Sequence, residues 1–126
     1  DLPREFYYDK IYNLRTCYIV LKGVELAKIY WVIFKNDYNR FLILEDKTAE
    51  LNYNTTLPKF RGKQLMAKMM AYISAELKEM GYQKAMGVIH ELNSPALRAI
   101  ENAGFKRVGS IKTLGPFNRR RRVIEQ

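Results

Sequence analysis

The sequence predicts an α/β domain of the α+β type, in which helices flank a mixed, mostly antiparallel sheet. Three observations predict this fold class. Residues 16–57 contain runs of β-branched and aromatic residues separated by turn residues, which is typical of strands. From Gly62 onward, apolar residues recur with a helical period of about 3.6. Another strand-like run follows, and the order strand, helix, strand allows two parallel strands.

The part of the chain before Pro58 is predicted to be mainly β. "TCYIVL" at 16–21 and "VELAKIYWVIF" at 24–34 flank a Lys-Gly turn, so we expect an antiparallel hairpin. "RFLILED" at 40–46 predicts a short strand. "TAELNYNTTL" at 48–57 alternates well enough to predict a strand that ends before Pro58.

The part after Pro58 begins with a helical pattern. Apolar side chains at three- and four-residue steps from Leu65 to Met80 predict a helix of about five turns whose Met-rich stripe faces the core. Gly81 is expected to end it as a C-terminal cap. "KAMGVIH" at 84–90 then predicts a short, mostly apolar strand.

A second helix is predicted by "NSPALRAIENAG" at 93–104. Ser94 can cap its start, Pro95 suits the first helical position, and Gly104 closes it. The segments at 105–115 and 119–126 then predict a final pair of strands around the turn "GPFN".

Length and composition favour one domain that spans residues 1–126. The chain begins Asp-Leu-Pro, so we expect a piece of a longer protein rather than a signal peptide. No run of about 18 apolar residues occurs, so no membrane span is expected. Cys17 is the single cysteine and cannot form an internal disulfide, which makes the cytoplasm the expected compartment.

The positive charge is concentrated in the second half of the chain. Residues 1–57 carry 8 basic and 8 acidic side chains, whereas residues 58–126 carry 14 basic and 5 acidic ones, so the later part holds the whole net charge of +9. Such a surplus suits a polyanionic partner, either a nucleic acid or a phosphorylated small molecule.

A basic turn precedes the first predicted long helix. Main-chain N–H groups at a helix N-terminus are unsatisfied and lie at the positive end of the helix dipole, so they favour anions. Arg61 and Lys63 add side-chain charge there, and Gly62 leaves room for close approach. From the residues alone, this turn is either an anion site or a solvated basic turn.

Two segments of the chain resemble a known family. "PKFRGKQLMAKMM" at 58–70 and "NSPALRAIENAGFKRVG", which begins 32 residues after Arg61, look like two motifs of the GNAT superfamily of N-acetyltransferases. The first resembles the acetyl-CoA-binding signature, which reads Gln or Arg, two residues, Gly, one residue, and Gly or Ala. The second is similar to the later Asn-to-Gly-Phe segment. Together they cover roughly residues 48–110.

The resemblance implies a sheet that splays between two parallel central strands, with the pantetheine arm of acetyl-CoA in the splay. It implies transfer of an acetyl group from acetyl-CoA, as co-substrate and without a metal, to a primary amine in a ternary complex. A main-chain N–H near Thr56 or Leu57 would polarise the thioester carbonyl. The cofactor-binding residues that it implies are Thr56, Leu57, Arg61, Gly62, Lys63, Gln64, Leu65, Met66 and Asn93.

The chain departs from the family pattern at three positions. Gln64 stands where the family has Gly, and Met66 stands where it has Gly or Ala, so two bulky side chains are expected to narrow the groove. Helical dihedral angles do not require Gly, so we expect the amide cradle to persist. Ile100 stands where many members place a Tyr as general acid, which leaves that role to Tyr53, Ser94 or water.

The attacking amine must be deprotonated, which calls for a base. Glu50, on the strand before the motif, is the carboxylate expected to serve as the catalytic base, with an exposed strand residue as the alternative. Glu91 is a weaker candidate, and His90, the only histidine, is expected to be structural.

Other interpretations remain open at this stage. Tyr7, Tyr8 and Tyr12 either line an acceptor pocket or pack half-buried. The chain could transfer an aminoacyl or other acyl group on the same fold. It could also be a GNAT-like module without catalysis that binds a partner, such as a nucleic acid, through its basic C-terminal half.

Overall fold

The computed structural model describes residues 2–37, 40–62, 64–114 and 119–123. Four strands form one sheet in the order β1-β2-β3-β4, and two more form a separate antiparallel hairpin. The strands are β1 (Thr16–Lys22), β2 (Glu25–Ile33), β3 (Thr48–Thr56), β4 (Lys84–Gly87), β5 (Ser110–Leu114) and β6 (Arg119–Val123). The helices are α1 (Tyr8–Ile11), α2 (Leu65–Glu79) and α3 (Ser94–Asn102), with 3-10 turns at Arg4–Tyr7 and Pro58–Phe60.

The predicted fold class is confirmed. β1, β2 and β3 pair antiparallel, and β3 pairs with β4 in parallel, so the sheet is mixed and mostly antiparallel. The β1–β2 hairpin, the strand–helix–strand order and the hairpin of β5 and β6 also agree with the sequence. Gly81 and Gly104 end α2 and α3 with φ of 92° and 100°, the left-handed conformation that favours Gly at a helix C-terminus.

The strand predicted at 40–46 is wrong. This segment is bends and turns, and the N–H groups of Phe41 and Leu42 donate to the carboxylate of Glu50 at 2.8 to 3.0 Å. Because a side chain takes these donors, they are not used in a strand ladder.

Three element boundaries differ clearly from the prediction, and so does one cap. β5 begins at Ser110 rather than at residue 105. β4 ends at Gly87 rather than near residue 90. Helix α2 begins only at Leu65 and has 15 residues, about four turns, because the residue before it is left-handed. At α3, the side chain of Asn93, not Ser94, provides the cap: its oxygen accepts from the N–H of Ala96 at 3.3 Å.

The sheet has a hydrophobic cluster on each face, because side chains alternate along a strand. On one face α2 covers the strands, and the Met-rich stripe packs inward as predicted apart from Met80, which is exposed. The buried residues of this cluster are Tyr30, Val32, Ala49, Leu51, Met66, Met69, Met70, Ile73 and Leu77. On the other face, the segment around α1 covers Ile29, Trp31 and Ile33.

The two parallel strands stay together for only four residues. Their register runs from Thr48 opposite Lys84 to Leu51 opposite Gly87, and the N–H of Val88 donates to the Leu51 carbonyl at 2.9 Å. β4 then ends, while β3 continues to Thr56. The sheet therefore opens along the second half of β3, as the resemblance implied.

A β-bulge marks the point where the sheet opens. Ile29 is opposite Thr55 and Trp31 is opposite Asn52, so β3 contains one more residue than β2 over this interval. Tyr53 lies in the bulge with φ of 57°, a left-handed conformation that is uncommon for a residue other than Gly.

Candidate functional site

The open half of β3 directs part of its main chain away from β2. The N–H of Leu57 donates to the Ala27 carbonyl of β2 at 2.8 Å. Because main-chain polar groups alternate in direction along a strand, those of Thr56 and Asn54 point the other way, toward the opening beside β4. The predicted polarising role thus cannot fall to the Leu57 N–H, which is already engaged with β2.

The predicted basic turn lies at the end of this opening. Arg61 is exposed, and its Nε donates to the Thr56 carbonyl at 3.1 Å. Gly62 has φ of 76°, and a Cβ on it would meet no atom within 4 Å, so the space above its main chain is open. Lys63 lies outside the described residues. Helix α2 starts two residues later, so its N-terminal amides are next to this turn.

Gln64 does not have the helical conformation that the sequence suggested. Its φ and ψ of 56° and 29° are left-handed, which explains why the family pattern favours Gly here and makes Gln a strained substitute. The side chains at the next two positions of the motif point inward. Leu65 packs with Ala27 and Phe60. Met66 belongs to the core between the sheet and α2. The Met66 side chain is therefore part of the core, whereas the exposed Gln64 remains at the surface.

A buried lysine lies beneath the open half of β3. Lys28 is only 2% exposed, and its ammonium donates to Asn54 Oδ1 at 3.1 Å and to Thr56 Oγ1 at 2.9 Å. Burial lowers the pKa of Lys28 to about 8. Among the described residues no carboxylate pairs with it. Lys28 is not among the site residues predicted from the sequence, although its charge interrupts the otherwise apolar run "AKIYWVIF".

Tyr30, two residues further along β2, ends at the same opening. It is 0% exposed, and its hydroxyl has no hydrogen-bond partner among the described residues. A Cβ placed on Gly87 would lie 3.8 Å from this hydroxyl and 2.7 Å from Cδ1 of Ile100. The hydroxyl therefore lies beside the last paired residue of β4 and near Ile100, which is buried. Tyr30 lies in a run of mostly apolar strand residues, so nothing in the sequence marks it as a site residue.

Glu50, the predicted catalytic base, is on the opposite face of the sheet and is 0% exposed. The alternative interpretation, an exposed strand residue, is wrong, because the side chain is fully buried. Besides the two loop amides, the carboxylate accepts a hydrogen bond from Asn52 Nδ2 at 3.1 Å. All of these groups are donors, which fits an ionised carboxylate that only accepts. The contacts attach the 40–42 segment to β3.

The remaining candidates are distributed around the opening. Asn93 lies beyond β4 at the start of α3, where its side-chain oxygen caps the helix. Ser94 and His90 are exposed, and His90 Nδ1 accepts from the N–H of Leu92 at 3.2 Å. Glu91 is also exposed.

The tyrosines near the start of the chain are mostly part of the core. The rings of Tyr8 and Tyr12 contact that of Tyr53, with centroids 5.1 and 5.8 Å away. Tyr8 is buried and Tyr12 is half-buried, whereas Tyr7 is exposed. Since Tyr53 belongs to this aromatic cluster, its side chain lies on the face away from α2.

The described ranges contain neither a metal-binding cluster nor a helix able to span a membrane. No group of three His, Cys, Asp or Glu residues there is arranged to hold a metal ion. None of the described helices combines the length and apolar character needed to cross a membrane.

Comparison with known proteins gives one clear match. The family model of the acetyltransferase (GNAT) family matches residues 5–105, which include β1 to β4 and all three helices. A search of curated proteins gave no match. The match and the sheet that opens after four parallel pairs agree, and so this chain belongs to the GNAT family of acetyltransferases.

Proposed function

We propose that the protein transfers an acetyl group from acetyl-CoA to a primary amine by direct attack in a ternary complex. The observation that carries the proposal is the open half of β3, which ends at a basic turn and the start of a long helix. Family membership supports acyl transfer in general. The choice of acetyl as the acyl group and of an amine as the acceptor goes beyond what family membership supports and is part of the proposal.

The pantetheine arm would lie along β3 in the opening and form hydrogen bonds with the main chain of Asn54 and Thr56, as an added strand does. The diphosphate would lie at the amides of residues 61–66, with Arg61 and Lys63 contributing charge. Gly62 leaves space for its approach. Asn93, across the opening, would contact the arm through its side-chain nitrogen, because its oxygen already caps α3.

The reaction needs a polarised carbonyl and a neutral amine. In place of the Leu57 N–H, which is bonded to β2, the N–H of Asn54 or Thr56 would polarise the thioester carbonyl. Glu50 would take the proton of the amine, and this requires the 40–42 segment to admit water, since the carboxylate is inaccessible at rest. Replacing Glu50 with Gln should then lower kcat about 100-fold, with an unchanged Kd for acetyl-CoA.

Calorimetric titration with acetyl-CoA and with desulfo-CoA tests the cofactor site. We expect micromolar binding of both, and a loss of about 100-fold for the double variant Arg61→Ala, Lys63→Ala, because charge-assisted bonds to the diphosphate are removed. Unchanged affinity of the double variant would show that the pocket is assigned wrongly. No binding at millimolar concentration would instead favour a non-catalytic binding module.

Lys59→Ala is the matched control for this titration. Lys59 is an exposed cation on the adjacent 3-10 turn, but its ammonium pairs with Glu25 at 2.9 Å rather than facing the opening. Its removal lowers the net charge by one, as does the single variant Arg61→Ala, with which it is compared. We expect less than about a twofold change in affinity, which separates a local site from general attraction to a basic surface.

A further inference from the structure

The hydroxyl of Tyr30 is the exception among the polar groups below the open half of β3. The Lys28 ammonium donates hydrogen bonds to the side chains of Asn54 and Thr56. Tyr30 is as fully buried as Lys28, but its hydroxyl has no such bond within the described part of the chain. An unpaired buried hydroxyl is unfavourable, and native proteins keep few of them.

The Tyr30 side chain extends from β2 across the sheet as far as β4. Tyr30 is on β2, and its ring passes below β3 so that the hydroxyl lies next to Gly87 of β4. Gly87 is the last residue of β4 that pairs with β3. The hydroxyl is therefore at the vertex where the two parallel strands separate.

The vertex is where the reactive end of the cofactor would lie, and this step rests on the proposed function. If the diphosphate is at the basic turn, the arm runs from Leu57 back toward the bulge at Tyr53. The four residue steps from Leu57 to Tyr53 span about 13 Å of extended strand. An arm made of two amide units and a thioethyl group is of comparable extent, so its sulfur would be near the vertex.

We propose that Tyr30 donates the proton that the coenzyme sulfur requires when it leaves. The amine nitrogen forms a bond to the thioester carbonyl carbon, and the C–S bond breaks with its electron pair moving to sulfur. Sulfur takes the phenolic proton of Tyr30. The proton lost by the amine passes through water to Glu50, the proposed base, and from there to solvent, while the phenolate regains a proton from water, so the products are an amide and a neutral thiol.

The surroundings of Tyr30 suit this role. Burial raises the pKa of the Tyr30 hydroxyl, with the nearby Asn54 amide opposing the rise, so the hydroxyl is protonated at neutral pH. The Lys28 ammonium lies 5.8 Å from the ring centroid and stabilises the transient phenolate. At rest, Cδ1 of Ile100 packs where a Gly87 side chain would be, and the arriving arm displaces this flexible end to reach the hydroxyl.

Tyr30→Phe removes only the hydroxyl, and the structure makes this an unusually clean test. Because the hydroxyl forms no hydrogen bond with a described group, the variant should be as stable as the wild type or more stable. With hydroxylamine as acceptor and acetyl-CoA as donor, thiol release should fall about 100-fold in kcat, with KM within about twofold. An aryl thioester should be used about equally well by both proteins, because an aryl thiolate leaves without a proton.

Tyr18→Phe is the control on the same face of the sheet. The Tyr18 hydroxyl donates to Glu76 Oε1 at 2.8 Å, so its loss should reduce stability without a dependence on the leaving group. An unchanged rate of Tyr30→Phe with acetyl-CoA, or an equal loss on both thioesters, would overturn the inference. The wild-type titration separates the two claims: absent binding of acetyl-CoA overturns the proposed function as well, whereas binding with an unchanged Tyr30→Phe rate overturns this inference alone.

Discussion

At the scale of single residues, backbone conformation explains the most unusual part of the motif. Gln64 is left-handed, with an exposed side chain, and no side-chain cap bond to α2 compensates for this conformation in the described residues. A left-handed conformation costs an ordinary residue about 1–2 kcal/mol. The position therefore requires a turn conformation that its residue type disfavours.

Gln64→Gly should accordingly stabilise the fold by about 1 kcal/mol, because the relief of strain exceeds the entropy that Gly loses on folding. Urea denaturation followed by circular dichroism measures this. Gln83→Gly is the matched control, since Gln83 is also exposed but has no positive φ. Equal effects of the two variants would contradict the strain argument.

Lys28 should make stability depend on pH. Burial lowers its pKa to about 8 in the folded protein, whereas an unperturbed lysine has a pKa of 10.5, so between these values the unfolded chain binds more protons. Stability should thus rise with pH through this window, and well below pH 8, where both states are fully protonated, the contribution of Lys28 should be constant. From pH 7.5 to about 9.5 we expect the wild type to gain roughly 2 kcal/mol relative to Lys28→Met.

The comparison with Lys28→Met removes the contributions of other titrating groups. Tyrosines with raised pKa values reduce stability only above about pH 10, and they are present in both proteins. Unfolding free energies of both proteins across the window provide the measurement. Parallel curves would mean that the ammonium is not desolvated in the folded state.

At the scale of elements, helix α3 combines a structural and a proposed binding role in one side chain. Asn93 accepts from the Ala96 N–H through its oxygen, while the proposed contact with the cofactor uses its nitrogen. These two functions can be separated, because Asp retains the oxygen and lacks the amide donor.

Asn93→Ala should lower stability by about 1 kcal/mol, whereas Asn93→Asp should preserve it. Both variants should weaken acetyl-CoA binding by roughly tenfold if the nitrogen contacts the arm. Thermal melts and calorimetric titrations on the same samples give the two readouts. Full affinity in Asn93→Asp would remove Asn93 from the cofactor site.

The 40–46 segment shows how a side chain can override a strand pattern. Its apolar residues fit a strand, but Glu50 accepts from the N–H groups of Phe41 and Leu42 and holds the segment as turns. A propensity-based reading cannot anticipate this, because the decisive partner is eight or nine residues away and buried.

At the scale of the whole molecule, the parts predicted from the sequence are those determined by local pattern. Hydrophobic periodicity and the positions of Gly and Pro predicted the β1–β2 hairpin, β3, α2 and α3. The order of elements predicted the parallel pair of strands. The basic turn could be predicted because Arg61 and Gly62 are contiguous in the sequence. The resemblance then supplied the opening of the sheet.

The groups below the open strand could not be predicted in this way. Lys28 and Tyr30 come from β2, Asn54 from β3 and Gly87 from β4, so only the tertiary register brings them together. Each also resembles an ordinary strand residue when the sequence is read alone. Burial, which gives Lys28 its lowered pKa, is likewise a property of the packed molecule.

The extra residue in β3 makes the length of this strand a functional constraint. Tyr53 joins the aromatic cluster on one face, while Asn54 and Thr56 bind Lys28 on the other. Deleting the bulge residue Tyr53 would exchange the faces of the residues that follow and separate the lysine from both of its acceptors. Substitutions in β3 should therefore be tolerated more readily than insertions or deletions that change its number of residues.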